Sequence, residues 1–448
     1  MSDPITTEHV RPEAIVLAGA EGRDLTKIAA YREVGGYEAL ARARALEPGQ
    51  VVQELLDAGV RGRGGAGFPM GRKASFLPKD SPKPTYLTVN ADESEPGTFK
   101  DREIMLRVPH RLVEGCLITA HAIGCTCVFI YIRGEYLAEF EVVRAALDEA
   151  REAGLFGGVT IVLHRGAGAY ICGEETALLE SLEGKRGQPR AKPPFPAIQG
   201  LYASPTLINN VETIATVPKI IEMGGAEYAK HGVENSQGTR VFSLSGNVVR
   251  GGNYELELGT TLRELIYDIG GGIPGGRELK AIIPGGSSTP VLTAGEVDTP
   301  LDFDSMAAAG TMLGSGAVIA IDDRCCMVQL GLRVAQFYMH ESCGKCTPCR
   351  VGTRWMVQIL REIEEGNASQ GELDLLLDVC DRILGKCLCP LGDAAAMPVA
   401  SYVNRFREEF QRHINEGGCP FGGESSLDRV FAPVDQHRHD PVPQEALA

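Results

Sequence analysis

Apolar strand-like segments alternate with helix-like segments between residues 86 and 182, and this alternation limits the possible folds more than any other feature. The strand-like runs at 86–89, 128–132 and 159–163 are almost continuously apolar, as expected for strands buried on both faces. A β-α-β-α-β-α order of this kind predicts an α/β fold with a parallel sheet. Ligands of such sheets bind beyond the carboxyl ends of the strands. The predicted helices that follow the strands cover 109–123, 136–153 and 173–182.

The pattern of apolar, glycine and proline residues divides the 448-residue chain into predicted domains. We predict an α/β domain over 1–238, in which two helices between 24 and 59 precede a glycine loop, a proline-rich loop covers 185–205, and a helix covers 210–223. Short β-rich runs with glycine turns, around one helix at 262–269, predict a small α+β domain over 239–325. Helical periodicity then predicts a small bundle over 326–416, followed by a tail over 417–448. The predicted bundle helices are 328–339, 354–364, 373–384 and 394–410.

Charge and local composition exclude several classes of protein. The formal net charge of −15 would repel a polyphosphate, which argues against nucleic acid as a partner. The one uncharged run of nearly membrane-spanning length, 115–132, contains His121 and Gly124, so we interpret it as a helix end followed by a strand. The first residues show no secretory signal pattern, so we expect a cytoplasmic protein in which the thirteen cysteines form no disulfide framework.

A glycine-rich loop, Gly62-Arg63-Gly64-Gly65-Ala66-Gly67, follows the first predicted helices. Its sequence matches the dinucleotide-binding fingerprint. That motif, however, follows a strand and begins a helix, whereas this loop follows a predicted helix. Its glycines would still allow backbone N–H groups to approach an anion. We therefore predict that it holds a phosphate-containing ligand, with added positive charge from Arg61, Arg63, Arg72 and Lys73. The alternative is a mobile surface turn.

Two acidic segments follow predicted strands. Asn90, Asp92, Glu93 and Glu95 follow the first strand, where carboxylates and amides can accept hydrogen bonds from ligand hydroxyl and ring N–H groups. In the second segment, 166–176, two adjacent glutamates open a helix, where the helix dipole alone would favour them. In the functional interpretation, these glutamates face the same crevice as Glu95 and disfavour an extra phosphate on the ligand. They are Glu174 and Glu175.

The strongest local motif is Cys343-Gly344-Lys345-Cys346-Thr347-Pro348-Cys349. Cys-x-x-Cys-x-x-Cys places three thiolates around one iron–sulfur cube, whereas zinc sites more often use paired Cys-x-x-Cys arms. The spacing therefore predicts a [4Fe–4S] cluster, with a fourth ligand from elsewhere and zinc as the alternative. Six other cysteines are given no role: Cys116, Cys125, Cys127, Cys172, Cys325 and Cys326. The candidates for the fourth ligand are Cys380, Cys387, Cys389 and Cys419, of which we prefer Cys389.

Five segments, in one order along residues 24–415, closely resemble the flavin-binding NADH dehydrogenase subunit of respiratory complex I. The resemblance implies a flavin domain, a ubiquitin-like SLBB domain and a helical bundle with one [4Fe–4S] cluster. It also selects Cys389 as the fourth ligand, because residues Lys386–Asp393 match the sequence in which the family carries its last cluster cysteine. Met70 and Ala74 depart from the family pattern, and Cys387 is an additional thiol. The five segments are 61–69, 93–98, 166–182, 192–196 and 341–350.

The resemblance also implies the residues of each site. The cluster ligands would be Cys343, Cys346, Cys349 and Cys389. NADH would contact Phe68, Phe76, Glu95, Glu175, Lys192 and Phe195. FMN would be held by Gly62, Arg63, Gly64, Gly65, Gly67, Lys73, Asn90, Asp92, Glu93, Ser94, Tyr170, Gly173, Glu174, Glu175, Ile208, Asn209, Asn210 and Thr213.

The implied function is electron input to a proton-pumping NADH:quinone oxidoreductase, by hydride transfer from NADH to FMN and single-electron transfer to the cluster. The implied partners are a thioredoxin-like [2Fe–2S] subunit and a large multi-cluster iron–sulfur subunit. We expect a peripheral protein without a membrane span, on the cytoplasmic side of the cell membrane, as part of a membrane-bound complex. The alternatives are a diaphorase subunit of an NAD-linked hydrogenase or formate dehydrogenase, and a non-enzymatic scaffold subunit.

Overall fold

A four-stranded, fully parallel sheet organises the first part of the chain, as predicted. The structure, a computed structural model, describes residues 14–422. The strands follow the order β3-β2-β1-β4, so β1 lies inside the sheet, with β2 on one side and β4 on the other. Apolar residues of β1 and β2 pack on one face against the helices, whereas Tyr131 and Ile208 join a second core on the other face. The strands are β1 (Tyr86–Ala91), β2 (Cys127–Ile132), β3 (Thr160–Arg165) and β4 (Thr206–Asn210).

Helices cover this sheet and precede it. Three short helices lie before the glycine loop, where two were predicted, and the polar helix Lys100–Arg107 was not predicted. Two short 3₁₀ turns, Tyr170–Gly173 and Leu201–Ala203, lie in the loops. The α-helices are α1 (Ile28–Glu33), α2 (Glu38–Arg44), α3 (Pro48–Asp57), α4 (Met70–Ser75), α5 (Lys100–Arg107), α6 (Pro109–Ala122), α7 (Leu137–Glu152), α8 (Glu175–Leu182), α9 (Pro196–Gln199), α10 (Val211–Met223) and α11 (Gly225–Tyr228).

A five-stranded mixed sheet with its own core forms the next part of the chain. Its strand order is β10-β9-β11-β7-β8, and only β11 and β7 are parallel. The predicted helix at 262–269 is a π-helical segment, Glu264–Ile269. The remaining elements are the hairpin of β5 (Gly232–Val233) and β6 (Ser236–Gln237), the strands β7 (Thr239–Gly246), β8 (Gly252–Glu257), β9 (Leu279–Ile283), β10 (Leu292–Thr293) and β11 (Ala317–Asp322), and the helix α12 (Phe303–Ala308).

The last described part is a helical bundle. One predicted helix, at 394–410, is two helices, because the backbone leaves helical geometry at Phe406. The second bundle helix begins at Thr347, earlier than predicted. No helix within 14–422 is long and apolar enough to cross a membrane. Residues 423–448 of the predicted tail lie outside the described residues. The bundle helices are α13 (Met327–Glu341), α14 (Thr347–Glu364), α15 (Gln370–Ile383), α16 (Leu391–Arg405) and α17 (Arg407–Glu416).

A buried carboxylate on β8 holds the start of the described chain. Glu255 accepts hydrogen bonds from the backbone N–H groups of Ile15, Val16 and Leu17 at 2.7–2.8 Å. Thr239 donates a further hydrogen bond to it at 2.5 Å. Burial raises the pKa of Glu255, while these donors favour the charged form. One side chain of the second sheet thereby fixes a segment that packs in the core of the first.

We expect Glu255→Ala to lower the free energy of unfolding by about 3 kcal/mol, because three buried N–H groups lose a charged acceptor. Urea unfolding should show this loss, and limited proteolysis should cleave near residue 17. Glu257→Ala is the matched control on the same strand, since Glu257 forms an exposed pair with His231. Equal stability losses in the two variants would contradict the assigned role.

Candidate functional site

The sheet reverses its strand order beside β1, and this reversal positions the candidate site. The chain runs from β1 outward to β2 and β3, then returns to β4 on the opposite side of β1. Open α/β sheets bind ligands at the carboxyl ends of the strands at such a switch point. In the register, Asn210 pairs with Asn90 and Asn209 pairs with Val89, so the ends of β1 and β4 carry neighbouring amides.

Two buried polar atoms at this edge have no hydrogen-bond partner within the described chain. They are Asp92 Oδ2, just after β1, and Asn209 Nδ2, near the end of β4. Burial raises the pKa of Asp92 to about 8, although the charge of Arg133 lowers it. A buried acceptor and a buried donor left unpaired at the same edge of the sheet suit a ligand with hydroxyl and amide groups. The edge therefore fits the ribityl chain and ring of FMN.

The segment before α8 lies against the same edge. Asn90 Nδ2 donates to the carbonyl of Gly173 at 2.9 Å, and a Cβ on Gly173 would lie 3.3 Å from Asp92 Oδ2. Glu174 caps α8 by accepting from the N–H groups of Thr176 and Ala177 at 2.9 Å. The predicted residues Asn90, Asp92 and Gly173 are thus brought together, and the carboxylate of Glu174 has the structural role that the helix dipole favours.

The glycine loop closes on itself and packs on the start of α10. Gly62 N–H donates to the carbonyl of Phe68 at 3.0 Å, and Arg63 N–H donates to Thr213 Oγ1 at 2.9 Å. A Cβ on Gly64 would lie 3.0 Å from the Asn210 Cβ, so the close approach to β4 favours glycine. The loop and the end of β4 therefore form one surface, as an FMN site requires.

The two arginine side chains of the glycine loop bond to other residues of the protein. Arg61 donates to the carbonyl of Gly67 at 2.7 Å and stacks on Phe303. Arg63 is fully buried and donates to the carbonyl of Gln237 at 2.8 Å. The predicted contribution of these two guanidinium groups to anion binding gains no support, and the predicted phosphate contact depends on the loop backbone. Arg72 is exposed.

Lys73, Glu175 and Lys192 form a half-buried ion-pair chain beside this surface. Glu175 lies 2.9 Å from Lys73 and 2.7 Å from Lys192, and Lys73 also donates to the carbonyl of Ile208 at 2.8 Å. Burial raises the pKa of Glu175, but the two lysines outweigh it and bring the pKa to about 2. Lys192 also pairs with Glu174, so the two glutamates are neutralised by two lysines.

Two predicted FMN contacts are committed to other partners. The Glu93 carboxylate accepts from the N–H groups of Asp101 and Arg102 at the start of α5, at 2.7 and 3.0 Å. The Asn210 amide donates to Asp101 at 2.6 Å and accepts from the N–H of Glu212. Both side chains stabilise helix ends. Their contact with FMN stays a prediction, as does that of Ser94 and Gly65.

Three exposed aromatic side chains belong to the loops beside this surface, and we call them its rim. Phe68, Phe76 and Phe195 expose 43%, 50% and 58% of their surface, and the rings of Phe68 and Phe76 have centroids 6.1 Å apart. Exposed Phe side chains beside a polar surface suit stacking on a flat ligand. Met70 and Ala74, which depart from the family pattern, are buried in the core and do not form this rim.

Glu95 joins the three parts of the chain. Its carboxylate accepts from Tyr170 at 2.7 Å and from the Ser288 N–H at 2.7 Å, and Tyr338 of α13 lies at 3.4 Å. Burial raises the pKa of Glu95, and these neutral donors lower it. Sequence reasoning missed Ser288 and Tyr338, because no local pattern relates residues from three distant segments.

The three motif cysteines lie at one end of the bundle. Cys343 lies between α13 and α14, Cys346 is the N-cap of α14, and Cys349 lies in its first turn. The loop before α16 reaches them, since Leu388 N–H donates to Cys346 Sγ at 3.2 Å. The N-termini of α14 and α16 thus both flank the cysteines, which suits an anionic cluster.

The structure brings both Cys387 and Cys389 to this end. Burial raises the pKa of Cys389 to about 12, with a contribution from Cys343, and that of Cys387 to about 11, with a contribution from Cys349. The choice of Cys389 stays a prediction. Cys380 turns into the bundle core, where its Sγ lies 3.6 Å from Met356 Sδ. Cys419 lies beyond α17 and is discussed below.

The cluster end of the bundle contacts the flavin side directly. Tyr170 N–H donates to Glu341 at 3.1 Å, two residues before Cys343. Gln188 donates to the Cys343 carbonyl at 3.2 Å, and Lys345 donates to the Pro189 carbonyl at 2.7 Å. The predicted proline-rich loop thus also positions the cysteine motif.

We expect Glu175→Gln to lower the free energy of unfolding by about 1–3 kcal/mol near neutral pH, because Lys73 and Lys192 lose their shared anion. The folded-state pKa of Glu175 is depressed to about 2 from 4.5, so its stabilisation is present above its unfolded pKa. The difference from wild type should therefore be full above roughly pH 5 and shrink as the pH falls towards 2. Urea titrations at several pH values measure it.

Glu222→Gln serves as the control, because Glu222 pairs with Lys219 and is about half exposed. This variant should change stability by less than about 0.5 kcal/mol at every pH. A pH-independent loss in Glu175→Gln would contradict the ion-pair explanation.

Comparison with known families agrees with this geometry. Residues 55–219 match the Nuo51 FMN-binding domain, residues 240–320 the SLBB domain, and residues 329–413 the NADH-ubiquinone oxidoreductase-F iron-sulfur binding region. In solved structures, the chain is similar to an NAD⁺-reducing [NiFe]-hydrogenase. For its air-oxidised state the TM-score is 0.79 at 35% identity, over 90% of this chain and 67% of that one. For the H₂-reduced state these values are 0.77, 36%, 83% and 63%.

The sequence relatives cover almost the whole chain. The F 2 subunit of the NADH-quinone oxidoreductase of Rhizobium meliloti is 50% identical over 91% of this chain and 99% of its own length. The F subunit of the same oxidoreductase in Mycobacterium tuberculosis is 49% identical over 95% of this chain and 96% of its own length. The chain therefore belongs to the family of NADH-quinone oxidoreductase F subunits.

Proposed function

We propose that the chain is the NADH dehydrogenase subunit, and the point of electron entry, of an NADH-quinone oxidoreductase. The observation that carries this proposal is the switch point between β1 and β4, where Asp92 and Asn209 leave buried polar atoms unpaired beside the glycine loop. Membership in the family of F subunits supports the same activity. FMN, when bound, takes two electrons from NADH as a hydride and passes them singly to an iron–sulfur cluster.

The residues of the switch point bind and orient. Asn209 donates and Asp92 accepts, Gly64 lets the loop backbone approach, and Lys73 supplies a positive charge near the carbonyl of Ile208. The exposed rings of Phe68, Phe76 and Phe195 provide apolar faces on which NADH stacks. The protein contributes orientation and electrostatics, and we assign no acid–base residue.

The segment from Tyr170 to Cys343 links the two cofactor sites. Tyr170 connects to Glu95 through its hydroxyl and to Glu341 through its N–H, and Glu341 lies two residues before Cys343. These bonds hold the flavin edge and the cysteine motif at a fixed separation. We propose Cys343, Cys346, Cys349 and Cys389 as the ligands of the [4Fe–4S] cluster, which receives the electrons.

The relatives are, by name, parts of an oxidoreductase that has several subunits. We propose that this chain delivers its electrons to a thioredoxin-like [2Fe–2S] subunit and a large multi-cluster iron–sulfur subunit. Membrane association would then come through partners, on the cytoplasmic side. The hydrogenase likeness supports one alternative, a diaphorase subunit of a soluble NAD-linked enzyme. The proteins that co-purify with the natively expressed chain distinguish the two.

Low-temperature electron paramagnetic resonance on the anaerobically purified, FMN-loaded chain tests the electron route. We expect an iron–sulfur signal after addition of NADH alone. A signal only with dithionite would contradict either the NADH site or a cluster potential within reach of NADH. A colourless protein without a signal would instead favour a scaffold.

Cys349→Ala should abolish that signal while NADH still bleaches the flavin, because one of the proposed ligands is lost. Cys389→Ala should do the same, whereas Cys387→Ala should retain the cluster. Cys380→Ala is the matched control, since Cys380 is a buried bundle thiol that contacts Met356. A normal cluster in Cys349→Ala would overturn the ligand assignment.

We further propose that the chain prefers NADH over NADPH through the charge of Glu95. Glu174 and Glu175 share two lysines, whereas the partners of Glu95 are neutral donors, so its charge is not compensated. The rate of flavin reduction by NADPH should be at least ~10-fold below that by NADH. Glu95→Gln should narrow this ratio, and Glu227→Gln, in an exposed pair with Lys230, should leave it unchanged. Comparable wild-type rates with the two nucleotides would defeat the proposal.

A further inference from the structure

Four potential metal ligands converge at the end of the bundle that the proposed cluster does not use. They are Cys326, the N-cap of α13, Glu364, the last residue of α14, His413 in α17, and Cys419 just beyond α17. One ligand atom from each lies within 4.8 Å of all the others. Cys326 and His413 are fully buried, and Glu364 and Cys419 are half-buried. These four residues form the Cys326–Cys419 tetrad.

We propose that the tetrad is a second metal site, which binds a structural Zn²⁺ ion. The Cys326 Sγ–His413 Nε2 distance is 3.2 Å, the His413 Nε2–Glu364 Oε2 distance is 3.4 Å, and the Cys326 Sγ–Glu364 Oε2 distance is 3.9 Å. Zn–S bonds of about 2.3 Å and Zn–N or Zn–O bonds of about 2.0–2.1 Å place tetrahedral ligands about 3.3–3.8 Å apart. These three separations are close to three edges of a tetrahedron around one ion, and the Cys419 Sγ lies within 4.8 Å of the other three ligand atoms.

The donor set indicates which ion. Two thiolates, one imidazole and one carboxylate are ligands that zinc accepts in four-coordinate sites, whereas calcium and magnesium require oxygen. A [4Fe–4S] cube would need its thiolates farther apart than one ion does. All four positions are filled by the protein, which is typical of a structural rather than a catalytic zinc site.

Neighbouring groups orient the ligands as metal sites require. His413 Nδ1 lies 2.8 Å from the carbonyl of Glu409, which can only accept, so Nδ1 carries the hydrogen and Nε2 presents its lone pair to the tetrad. Gln329 donates through its side chain to Glu364 at 2.8 Å and to Cys419 at 3.7 Å. Its N–H also donates to Cys326 Sγ at 3.4 Å. Glu409 and Gln329 together contact all four ligands.

The tetrad is separate from the proposed cluster. Cys326 and Cys343 lie at opposite ends of α13, whose 15 residues span roughly 22 Å. Glu364 and Cys346 lie likewise at opposite ends of the longer helix α14. Cys419 is therefore too far away to serve as the fourth cluster ligand, and that sequence-based candidate is wrong.

Zinc at this position would bind the segment after α17 to the first two bundle helices. Binding deprotonates the two thiols and releases their protons to solvent, so no oxidant is needed. The ion would stabilise the closed end of the bundle and take no part in electron transfer.

The test is metal analysis of the full chain, purified anaerobically with FMN and cluster and washed with EDTA. We expect about one zinc per chain beside about four irons. Cys419→Ala and His413→Gln should lose the zinc and keep the iron and the flavin spectrum. Cys380→Ala, which removes another bundle thiol, should keep both metals. The zinc X-ray absorption edge of the wild type should show two sulfur and two nitrogen or oxygen neighbours, a readout that does not depend on folding of the variants.

Three results would overturn the proposal. The first is a wild-type chain that holds no zinc after incubation with ZnCl₂ and an EDTA wash. The second is equal zinc in the wild type and both variants, which would place the ion elsewhere. The third is a disulfide between Cys326 and Cys419 in the anaerobic protein, identified by mass spectrometry after alkylation.

Discussion

The buried carboxylate of Glu95 is the contact on which the relative placement of the three parts depends. A buried carboxylate must be satisfied by hydrogen bonds, because leaving it unpaired costs several kcal/mol. Its donors come from the loop before α8, from the turn between β9 and β10, and from α13, through Tyr170, Ser288 and Tyr338. Loss of any one part removes one of these donors. Glu255 ties the chain start to the second sheet in the same way.

Sequence alone predicted the elements whose local pattern agrees with the fold. Strands β1, β2 and β3 are apolar runs followed by amphipathic helices, so both periodicity and length identified them. Strand β4 was missed because Thr206–Asn210 is short, follows a proline-rich stretch and ends in two amides. Pairing with β1 makes it a strand, and that pairing is not visible in a local window. The switch point, which positions the candidate site, was therefore accessible only from the structure.

Side chains, too, were predicted where the signal is local in the sequence and missed where it depends on distant elements. The spacing of Cys343, Cys346 and Cys349 is local and predicted a cluster directly, and resemblance supplied the residues for FMN and NADH. The commitments of Glu93, Asn210 and Arg63 to buried partners could not be predicted, since each partner lies on another element. The Cys326–Cys419 tetrad was missed for a stronger reason. Cys326 and His413 are 87 residues apart, and no motif joins them.

The helix ends around the cysteine motif have a consequence for how the protein matures. The N-termini of α14 and α16 carry partial positive charge and converge on the same small volume. Two like ends repel unless an anion lies between them, so this end of the bundle reaches its full stability only after the anionic cluster is inserted. Cluster insertion would therefore add stability locally, at the end of the bundle that contacts the proline-rich loop, rather than evenly along the chain.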